Sequence, residues 1–320
     1  MRDSYDVVIV GGGAAGLGGA LTLARARRSV LVIDGGAPRN APAAHMHNYL
    51  GREGTPPRDL LAIGREEVGE YGGEFVDGHA VEAQASDDGF VVRLAGGEEI
   101  SARALLVTTG LVDELPDVPG IGGRWGRDVL HCPYCHGWEA RDGAIGVLAT
   151  SAVATHQVLM WRQWSDNVIL FTHTAQAFDP VDLEKFAASG IEVVDGRVTG
   201  LEVRGDKLTG VQVEGLGVVA RDALVVPPRF VARSGLLESL GVETAVQEMG
   251  GTVLGTYVPA GPTGETTVPG VWVAGNVTDP RAQVISAAAG GVGAGAMINA
   301  ALIERDVTAR VEARRASGVR

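Results

Sequence analysis

The feature that most constrains the fold of this chain is a glycine-rich turn near its N-terminus, between two strand-like segments. Gly11, Gly13 and Gly16 form the pattern G-x-G-x-x-G after the apolar run YDVVIV, and a second run, SVLVID, ends at Asp34, about 20 residues on. Gly11 permits a tight turn, Gly13 lets a pyrophosphate approach the backbone, and Gly16 lets helix and strand pack closely. The helix N-terminus then holds the phosphates, and Asp34 accepts from a ribose hydroxyl. The segment predicts a dinucleotide-binding βαβ unit.

The rest of the chain predicts a second α/β unit inserted into the first. Strand candidates such as AIGVLA and NVILFTH follow the glycine- and proline-rich stretch LVDELPDVPGIGGRWG, and a last strand candidate, VPGVWVAGNV, lies near the C-terminus. A length of 320 residues with 45% apolar content suits about two domains. We therefore expect an α/β fold whose first domain, residues 1–115 and 246–320, is split around an inserted domain, residues 116–245.

Charge and hydropathy narrow the classes of partner. The chain carries 27 Lys and Arg against 39 Asp and Glu, a net charge of −12, which disfavours nucleic acid. Its N-terminus has neither a charged nor an apolar leader region, so we expect a cytoplasmic protein. The longest apolar segment, AQVISAAAGGVGAGAMINAALI, is interrupted by small residues, and we expect close packing there rather than a membrane helix.

Both cysteines of the chain lie in the segment HCPYCHGWE, as Cys132 and Cys135. A zinc site would need two more ligands, a disulfide framework needs several cysteines, and haem attachment to C-x-x-C-H normally accompanies export. In a reducing cytosol, a lone C-x-x-C beside histidines is more often a redox dithiol, because an imidazole can stabilise the thiolate. A buried, inert pair stays open as the alternative, and we expect no metal site.

Taken together, these motifs resemble the low-molecular-weight thioredoxin reductase family over nearly the whole chain. The matching pieces are GGGAAG with Asp34, TTG at residues 108–110, the C-x-x-C, and GVWVAGNV followed by a small-residue helix. The resemblance implies two Rossmann-like (three-layer ββα) domains and FAD in the split domain, with the flavin facing the dithiol. The predicted FAD-binding residues are Gly11, Gly13, Ala14, Ala15, Gly16, Asp34, Asn48, Thr109, Gly110, Gly275, Asn276, Gln283 and Val284.

The sequence departs from that family where NADPH binds. The family's second glycine-rich turn is replaced by VLATSA, with Val147, Leu148 and Ala149 where glycines are needed, so we expect side chains to crowd the pyrophosphate path. The basic cluster that pairs with the 2′-phosphate is reduced to His173, with no arginine. NADPH is therefore not expected, although binding by an altered geometry stays open.

The dithiol motif departs from the family as well. The family's acidic residue after the second cysteine is His136 here, and a histidine can take and return a thiol proton near neutral pH. With the lost NADPH motif, CPYCHGWE resembles the flavin-dependent dithiol oxidases that close disulfides in natural products of the gliotoxin, holomycin and romidepsin kind. The resemblance implies substrate attack at Cys132, a flavin-facing Cys135, His136 as base and acid, and molecular oxygen as acceptor.

Other expectations rest on position or on the resemblance alone. His45 and His47 share a loop before the second helix, and Trp138 follows the dithiol, so we expect these three to contact a small dithiol substrate. A homodimer is implied by resemblance. Two other functions stay open: a thioredoxin-type disulfide reductase fed by NADPH or a ferredoxin, and a non-catalytic flavoprotein that reports redox state.

Overall fold

The computed structural model describes residues 2–317. The strands are β1 (Ser4–Val10), β2 (Val30–Asp34), β3 (Glu74–Asp77), β4 (Ala80–Ser86), β5 (Gly89–Leu94), β6 (Glu99–Val107), β7 (Leu111–Glu114), β8 (Val129–Leu130), β9 (Ile145–Leu148), β10 (Val168–Phe171), β11 (Glu192–Val194), β12 (Val198–Arg204), β13 (Lys207–Val213), β14 (Gly217–Val219), β15 (Ala223–Val225), β16 (Arg229–Ala232), β17 (Ala245–Met249), β18 (Thr252–Tyr257) and β19 (Val271–Val273). The helices are α1 (Ala14–Arg25), α2 (Pro57–Glu70), α3 (Ile121–Arg124), α4 (Pro133–His136), α5 (Ala154–Trp161), α6 (Pro180–Ala188), α7 (Gly235–Glu238) and α8 (Val284–Ala316).

The first sheet unites the two ends of the chain. Its strands follow the order β3-β2-β1-β6-β5-β4, and β19 also pairs with β6. Strand β6 serves two neighbours on one side: its first half pairs antiparallel with β5, and its second half pairs parallel with β19, from Val271↔Leu105 to Val273↔Val107. The second halves of β1 and β6, VVIV and ALLV, are buried on both faces and read as continuous apolar runs.

The second sheet lies wholly within the insertion. Its strands follow the order β11-β10-β9-β15-β8, all parallel, with the antiparallel strands β12-β13-β14 as a separate sheet. Parallel sheets of this kind are covered on both faces, and two apolar clusters lie on the two sides of β9 and β10. The predicted α/β class with two Rossmann-like units is therefore confirmed.

A third sheet connects the other two. The chain leaves the first sheet through β7 and returns through β16, and these strands pair antiparallel from Leu111↔Ala232 to Glu114↔Arg229. We call β7 and β16 the crossing ribbon. Strands β18 and β17 extend it. The domain limits at residues 115 and 246 stay a prediction.

Helices α1 and α8 pack backbone to backbone against the first sheet. A Cβ on Gly291 would lie 1.8 Å from the carbonyl oxygen of Ala15, so only glycine permits this approach. The expected close packing is therefore seen, but α8 is also, by length and composition alone, long enough and apolar enough to cross a membrane, with a mean hydropathy of 1.4. Core helices of soluble proteins can have the same length and hydropathy, so one such helix is weak evidence for a membrane span.

Candidate active site

A cavity of about 790 Å³ lies between the first sheet, the dithiol segment and the start of α8. Most of the predicted site residues line it. These are Gly11, Gly13, Ala14, Ala15, Asp34, His45, His47, Thr109, Gly110, Cys132, Cys135, His136, Gly275, Asn276, Gln283 and Val284. The predicted residues outside this lining are Gly16, Asn48 and Trp138.

The glycine turn between β1 and α1 builds one end of the cavity. A Cβ on Gly16 would lie 1.9 Å from the carbonyl oxygen of Gly11, so Gly16 serves helix–strand packing, as its place in the motif predicts. Gly13 is the N-cap residue of α1, and a Cβ on it would meet no protein atom within 4 Å. This open space, facing the first amides of α1 at Ala14 and Ala15, fits a pyrophosphate.

Asp34 and the turn after β6 form the neighbouring wall. Asp34 Oδ1 accepts from the Gly12 amide at 3.1 Å, and its Oδ2 lies 3.5 Å from the guanidinium of Arg65, so the carboxylate is held at the end of β2. The Thr109 hydroxyl donates to the carbonyl of Arg233 at 2.7 Å, and Gly110 has a φ of +72° that favours glycine. Thr109 and Gly110 therefore shape the backbone turn at the cavity.

Asn276 donates hydrogen bonds to the turn before α8. Its side-chain amide donates to the carbonyl oxygens of Asp279, Pro280 and Ala282 at 3.0, 3.4 and 3.0 Å. A carboxylate has no proton to donate in these positions. Asn276 thus holds the turn that ends at Gln283, the N-cap residue of α8, and Val284 begins the helix there.

The dithiol lies at the N-terminus of the short helix α4. Cys132 is the N-cap residue, and the Cys135 thiol donates to the Cys132 sulfur across 2.8 Å. This hydrogen bond, with the backbone amides of Cys135 and Tyr134, lowers the pKa of the Cys132 thiol to about 7. The same bond, together with burial, raises the pKa of Cys135. The reduced pair therefore ionises first at Cys132.

His136 closes the same turn. Its backbone amide donates to the carbonyl of Cys132 at 3.2 Å, and its two ring nitrogens are buried without a hydrogen-bond partner among the described residues. Burial lowers the pKa of His136, and Glu139 only partly offsets this effect. The imidazole is therefore neutral at neutral pH, with a nitrogen free to accept a proton.

The loop before α2 reaches the dithiol segment through His47 and Asn48. His47 Nδ1 lies 2.5 Å from Glu53 Oε1, and its Nε2 lies 3.4 Å from Glu139 Oε1. The Asn48 side-chain amide donates to the carbonyl of Tyr134 at 2.6 Å. Asn48 was predicted on the flavin side, whereas in the structure its side-chain amide is engaged by Tyr134, one of the two residues between the cysteines. His45 lies 6.5 Å from His47, ring centre to ring centre.

Trp138 points away from the cavity. Its side chain is 66% exposed, and the Arg141 guanidinium lies 4.1 Å over its ring.

His131 lies directly before Cys132. Burial lowers the pKa of His131 to about 4, and its Nδ1 lies 3.1 Å from the side-chain nitrogen of Gln157. A neutral His131 supplies no charge to the cysteines.

The segment that replaces the family's second glycine turn is built differently from our expectation. Val147, Leu148 and Ala149 are fully buried in the two cores beside β9, so they do not crowd a nucleotide path. Within the described turn of residues 149–153, no residue is glycine and none has a positive φ. The tight turn that brings bare backbone to a pyrophosphate is therefore absent from this segment.

Arg39 and Gln157 are among the residues of the cavity wall that sequence reasoning missed. Arg39 lies in the loop after β2, and Gln157 lies on α5 with its side-chain oxygen buried and unpartnered among the described residues. No local motif marks either residue, since they approach the dithiol only through the tertiary fold. Within residues 2–317, no cluster of three His, Cys, Asp or Glu side chains is placed to hold a metal ion.

Comparisons with known proteins agree with this geometry. The family profile described as "Pyridine nucleotide-disulphide oxidoreductase" matches residues 5–291. Thioredoxin reductase tcpT of Claviceps purpurea is 29% identical over 318 residues, covering 93% of this chain and 94% of its own length. Thioredoxin reductase sirT of Leptosphaeria maculans is 29% identical over 330 residues, covering 96% and 97%.

Solved structures give the same result. The crystal structure of HlmI superposes with a TM-score of 0.91 at 44% identity, covering 100% of this chain and 99% of that one. An oxidoreductase from Agrobacterium tumefaciens gives a TM-score of 0.86 at 34% identity, covering 94% and 99%. The resemblance to thioredoxin reductase-like proteins inferred from the sequence is therefore confirmed.

Proposed function

Since the chain belongs to the pyridine nucleotide-disulphide oxidoreductase family, as a relative of the flavin-dependent thioredoxin reductases, we propose that it is an FAD-dependent dithiol oxidase. It closes an intramolecular disulfide in a small-molecule dithiol of the natural-product kind. Molecular oxygen takes the two electrons and two protons that the dithiol loses, and hydrogen peroxide is the second product.

The observation that carries this proposal is the neutral, buried imidazole of His136 on the same turn as Cys132 and Cys135. Oxidation of a dithiol releases protons, and an unprotonated imidazole without another partner is suited to accept them. Because the Cys135 thiol has the higher pKa of the pair, a base is needed to release its proton. His136 meets that need.

The cysteines act as a relay for two electrons. In the oxidised enzyme, a substrate thiolate attacks the sulfur of Cys132, which breaks the Cys132–Cys135 bond and forms a mixed disulfide with Cys132. The second substrate thiolate then attacks the substrate sulfur of that mixed disulfide. The product disulfide forms, Cys132 leaves as a thiolate, and both cysteines are reduced. The lowered pKa of Cys132 makes it a good leaving group.

The residues around the cavity fit FAD. The open space at Gly13 suits the pyrophosphate, Asp34 suits a ribose hydroxyl, and the N-terminus of α8 at Gln283 suits the negative charge of a reduced flavin. When bound, FAD supplies the two-electron acceptor for the dithiol, and oxygen restores its oxidised form.

The direction of electron flow is supported by the inserted domain. Residues 149–153 lack the glycine turn that would hold a nicotinamide dinucleotide. His173 cannot make the bidentate hydrogen bonds that an arginine makes to a phosphate. Instead, His173 Nδ1 accepts from the Val198 amide at 3.1 Å. We therefore propose that the dithiol is the electron source and that NADPH is not used.

We also propose that the protein works as a cytoplasmic homodimer. An exposed apolar stripe follows one face of α8, through Ile285, Val292, Ile303, Val307 and Val311. Only 22% of the most apolar window of α8 is buried within the chain. A second copy of the helix is the occupant we propose for this stripe. Val292→Glu together with Ile303→Glu is expected to give monomers in light scattering, whereas the exposed Val218→Glu leaves the mass unchanged.

The competing function is a thioredoxin-type disulfide reductase, and the names of the relatives from Claviceps purpurea and Leptosphaeria maculans favour it. Both functions use the same cysteines and the same flavin. They differ in which compound reduces the flavin.

The test is flavin reduction without oxygen. The purified yellow protein is mixed with excess NADPH, with reduced ferredoxin, or with a cyclisable small dithiol, and the visible flavin absorbance is followed. We expect bleaching by the dithiol alone, reversed by air with one peroxide per disulfide formed. Fast bleaching by NADPH or ferredoxin with none by the dithiol overturns the proposal. Cys132→Ser is the control that abolishes dithiol bleaching while the flavin stays bound.

A further inference from the structure

Arg39 joins four segments of the chain beside the dithiol. Its guanidinium donates from Nε and Nη2 to the two carboxylate oxygens of Asp113, at 2.8 and 2.7 Å, and from Nη1 to the carbonyl of Pro280 at 3.4 Å. The same guanidinium lies 5.1 Å over the ring of Phe230. It therefore connects the loop after β2, both strands of the crossing ribbon and the turn before α8.

The crossing ribbon is built to hold this charge. Asp113 on β7 and Phe230 on β16 are direct cross-strand partners, so the acceptor and the aromatic ring lie side by side under one guanidinium. Bidentate hydrogen bonds to a carboxylate fix the orientation of the guanidinium plane, and the aromatic ring adds a cation–π contact. Phe230 also packs edge-on against His131, at 5.4 Å, next to Cys132.

Arg39 lines the same cavity as Cys132 and Cys135, and its charge acts on both sulfurs, although less strongly than the hydrogen bond between them. Its charge lowers the pKa of Cys132 and of Cys135. Of the other titratable groups near the dithiol, His131 and His136 are uncharged because burial lowers the pKa of each, and the charges of Glu139 and His47 act on His136 in opposite directions. Asp113 opposes Arg39, since its charge raises the pKa of His131 where that of Arg39 lowers it.

We propose that Arg39 is a positioning residue for the dithiol: held by Asp113 and Phe230, it is the fixed positive counter-charge of the thiolate that the reduced cysteine pair carries. A thiolate forms whether electrons enter from a substrate dithiol or leave to a protein disulfide. The inference therefore goes beyond the proposed oxidase and holds for either direction.

The test measures ionisation of the thiolate directly. The holoprotein is reduced with excess dithiothreitol without oxygen, freed of reductant, and alkylated with iodoacetamide over a range of pH, and the modified Cys132 peptide is quantified by mass spectrometry. In Arg39→Gln we expect the midpoint of the alkylation rate to rise by up to about one pH unit, with a loss of up to about fivefold in rate at pH 7. Arg39→Lys keeps the charge and is expected to restore most of the rate.

Asp113→Asn tests whether Arg39 acts through its charge or only by holding the local structure together. It breaks the same contact as Arg39→Gln but removes a negative charge, so the midpoint is expected to fall or stay at the wild-type value. If the Arg39–Asp113 contact has only a structural role, the alkylation midpoint should shift in the same direction in both variants. That result overturns the proposal, as does an unchanged midpoint in Arg39→Gln. If Arg39→Gln does not fold, Arg39→Lys and Asp113→Asn decide between the two signs.

The matched control is Arg229→Gln. Arg229 lies on the same ribbon and donates to Glu114 at 2.9 Å, one cross-strand pair along from Phe230 and Asp113, but both side chains are about half exposed. Arg229→Gln breaks one arginine–carboxylate ion pair but leaves the charges beside the dithiol unchanged. We expect the alkylation midpoint of this variant to equal that of the wild type, and a shift as large as that of Arg39→Gln contradicts the local effect of Arg39.

Discussion

The side-chain amide of Asn48 donates a hydrogen bond of 2.6 Å to the carbonyl of Tyr134, which ties the loop before α2 to the segment between the two cysteines. Asn48 also has a φ of +61°, a conformation that asparagine and glycine tolerate best. Asn48→Gly keeps this backbone and removes only the side-chain contact. We expect dithiol oxidation to slow by about three- to tenfold, as one lost hydrogen bond predicts, with little change in melting temperature.

Stopped-flow flavin reduction measures this effect. Asn48→Asp is the graded control, because a carboxylate faces the Tyr134 carbonyl without a proton to share, and its rate should be lower than that of Asn48→Gly. Equal rates in the wild type and Asn48→Gly mean that the loop needs no such tie.

His136 predicts a pH dependence of the chemical step. Burial lowers the pKa of His136 below the ordinary value of about 6.5. Because the neutral imidazole is the active base, the rate should stay constant near neutral pH and fall only at a pH below about 6.5. His136→Gln should slow dithiol oxidation about a hundredfold or more and remove this acid limb. The measured quantity is the ratio of wild-type to variant rate at each pH, which cancels ionisation of the substrate.

His45→Gln is the matched control for that experiment, since His45 lines the same cavity but is exposed. It should retain the acid limb. A His136→Gln variant with the same limb as the wild type assigns the limb to another group.

His131 predicts a loss of stability in acid. The folded state holds its pKa near 4, while the unfolded chain binds a proton at about 6.5, so the unfolded state binds more protons between these values. Stability is therefore full above about pH 6.5 and is lost as the pH falls toward 4, by up to about 3 kcal/mol. His131→Gln should show a flatter dependence of unfolding free energy on pH in urea denaturation. The exposed His156→Gln should keep the wild-type slope, and an unaltered slope in His131→Gln contradicts the assignment.

Two glycines of the same motif predict opposite outcomes. A Cβ on Gly13 meets only open space, so Gly13→Ala should change the free energy of unfolding of the apoprotein by no more than about 1 kcal/mol, yet lower its flavin content. A Cβ on Gly16 would lie 1.9 Å from the Gly11 carbonyl oxygen, so Gly16→Ala should destabilise the apoprotein itself. Apoprotein melting and bound flavin per chain measure the two effects separately. Full flavin content in Gly13→Ala argues against a pyrophosphate at this place.

Asn276→Asp is expected to weaken FAD binding. Three carbonyl oxygens now face the Asn276 amide, and a carboxylate would leave them unpaired and repelled. We expect FAD affinity to fall about tenfold or more, since the turn leading to Gln283 loses its anchor. Asn276→Ala, which removes the donor without adding charge, should lie between the variant and the wild type in a flavin titration. Tighter binding in Asn276→Asp contradicts this role.

Much of the site was predictable from sequence because its chemistry is local. The glycine turn with Asp34, and the cysteines with His136, each occupy a short segment whose backbone demands specific residues. Arg39 was not predictable, because its partners Asp113, Phe230 and Pro280 are far apart in sequence and meet only when β7 pairs with β16. Likewise, the packing of Leu148 and Ala149 inside the inserted sheet depends on tertiary burial.

The shared strand β6 also sets the order in which the chain can fold as it is synthesised. Its second half finds β19 only when residue 271 has left the ribosome, whereas every strand of the inserted sheet lies within residues 129–225. The insertion thus has all of its partners earlier, and closing the long loop between β6 and β19 comes last. Until then the second half of β6 has an open strand edge, the kind of edge at which another chain can pair.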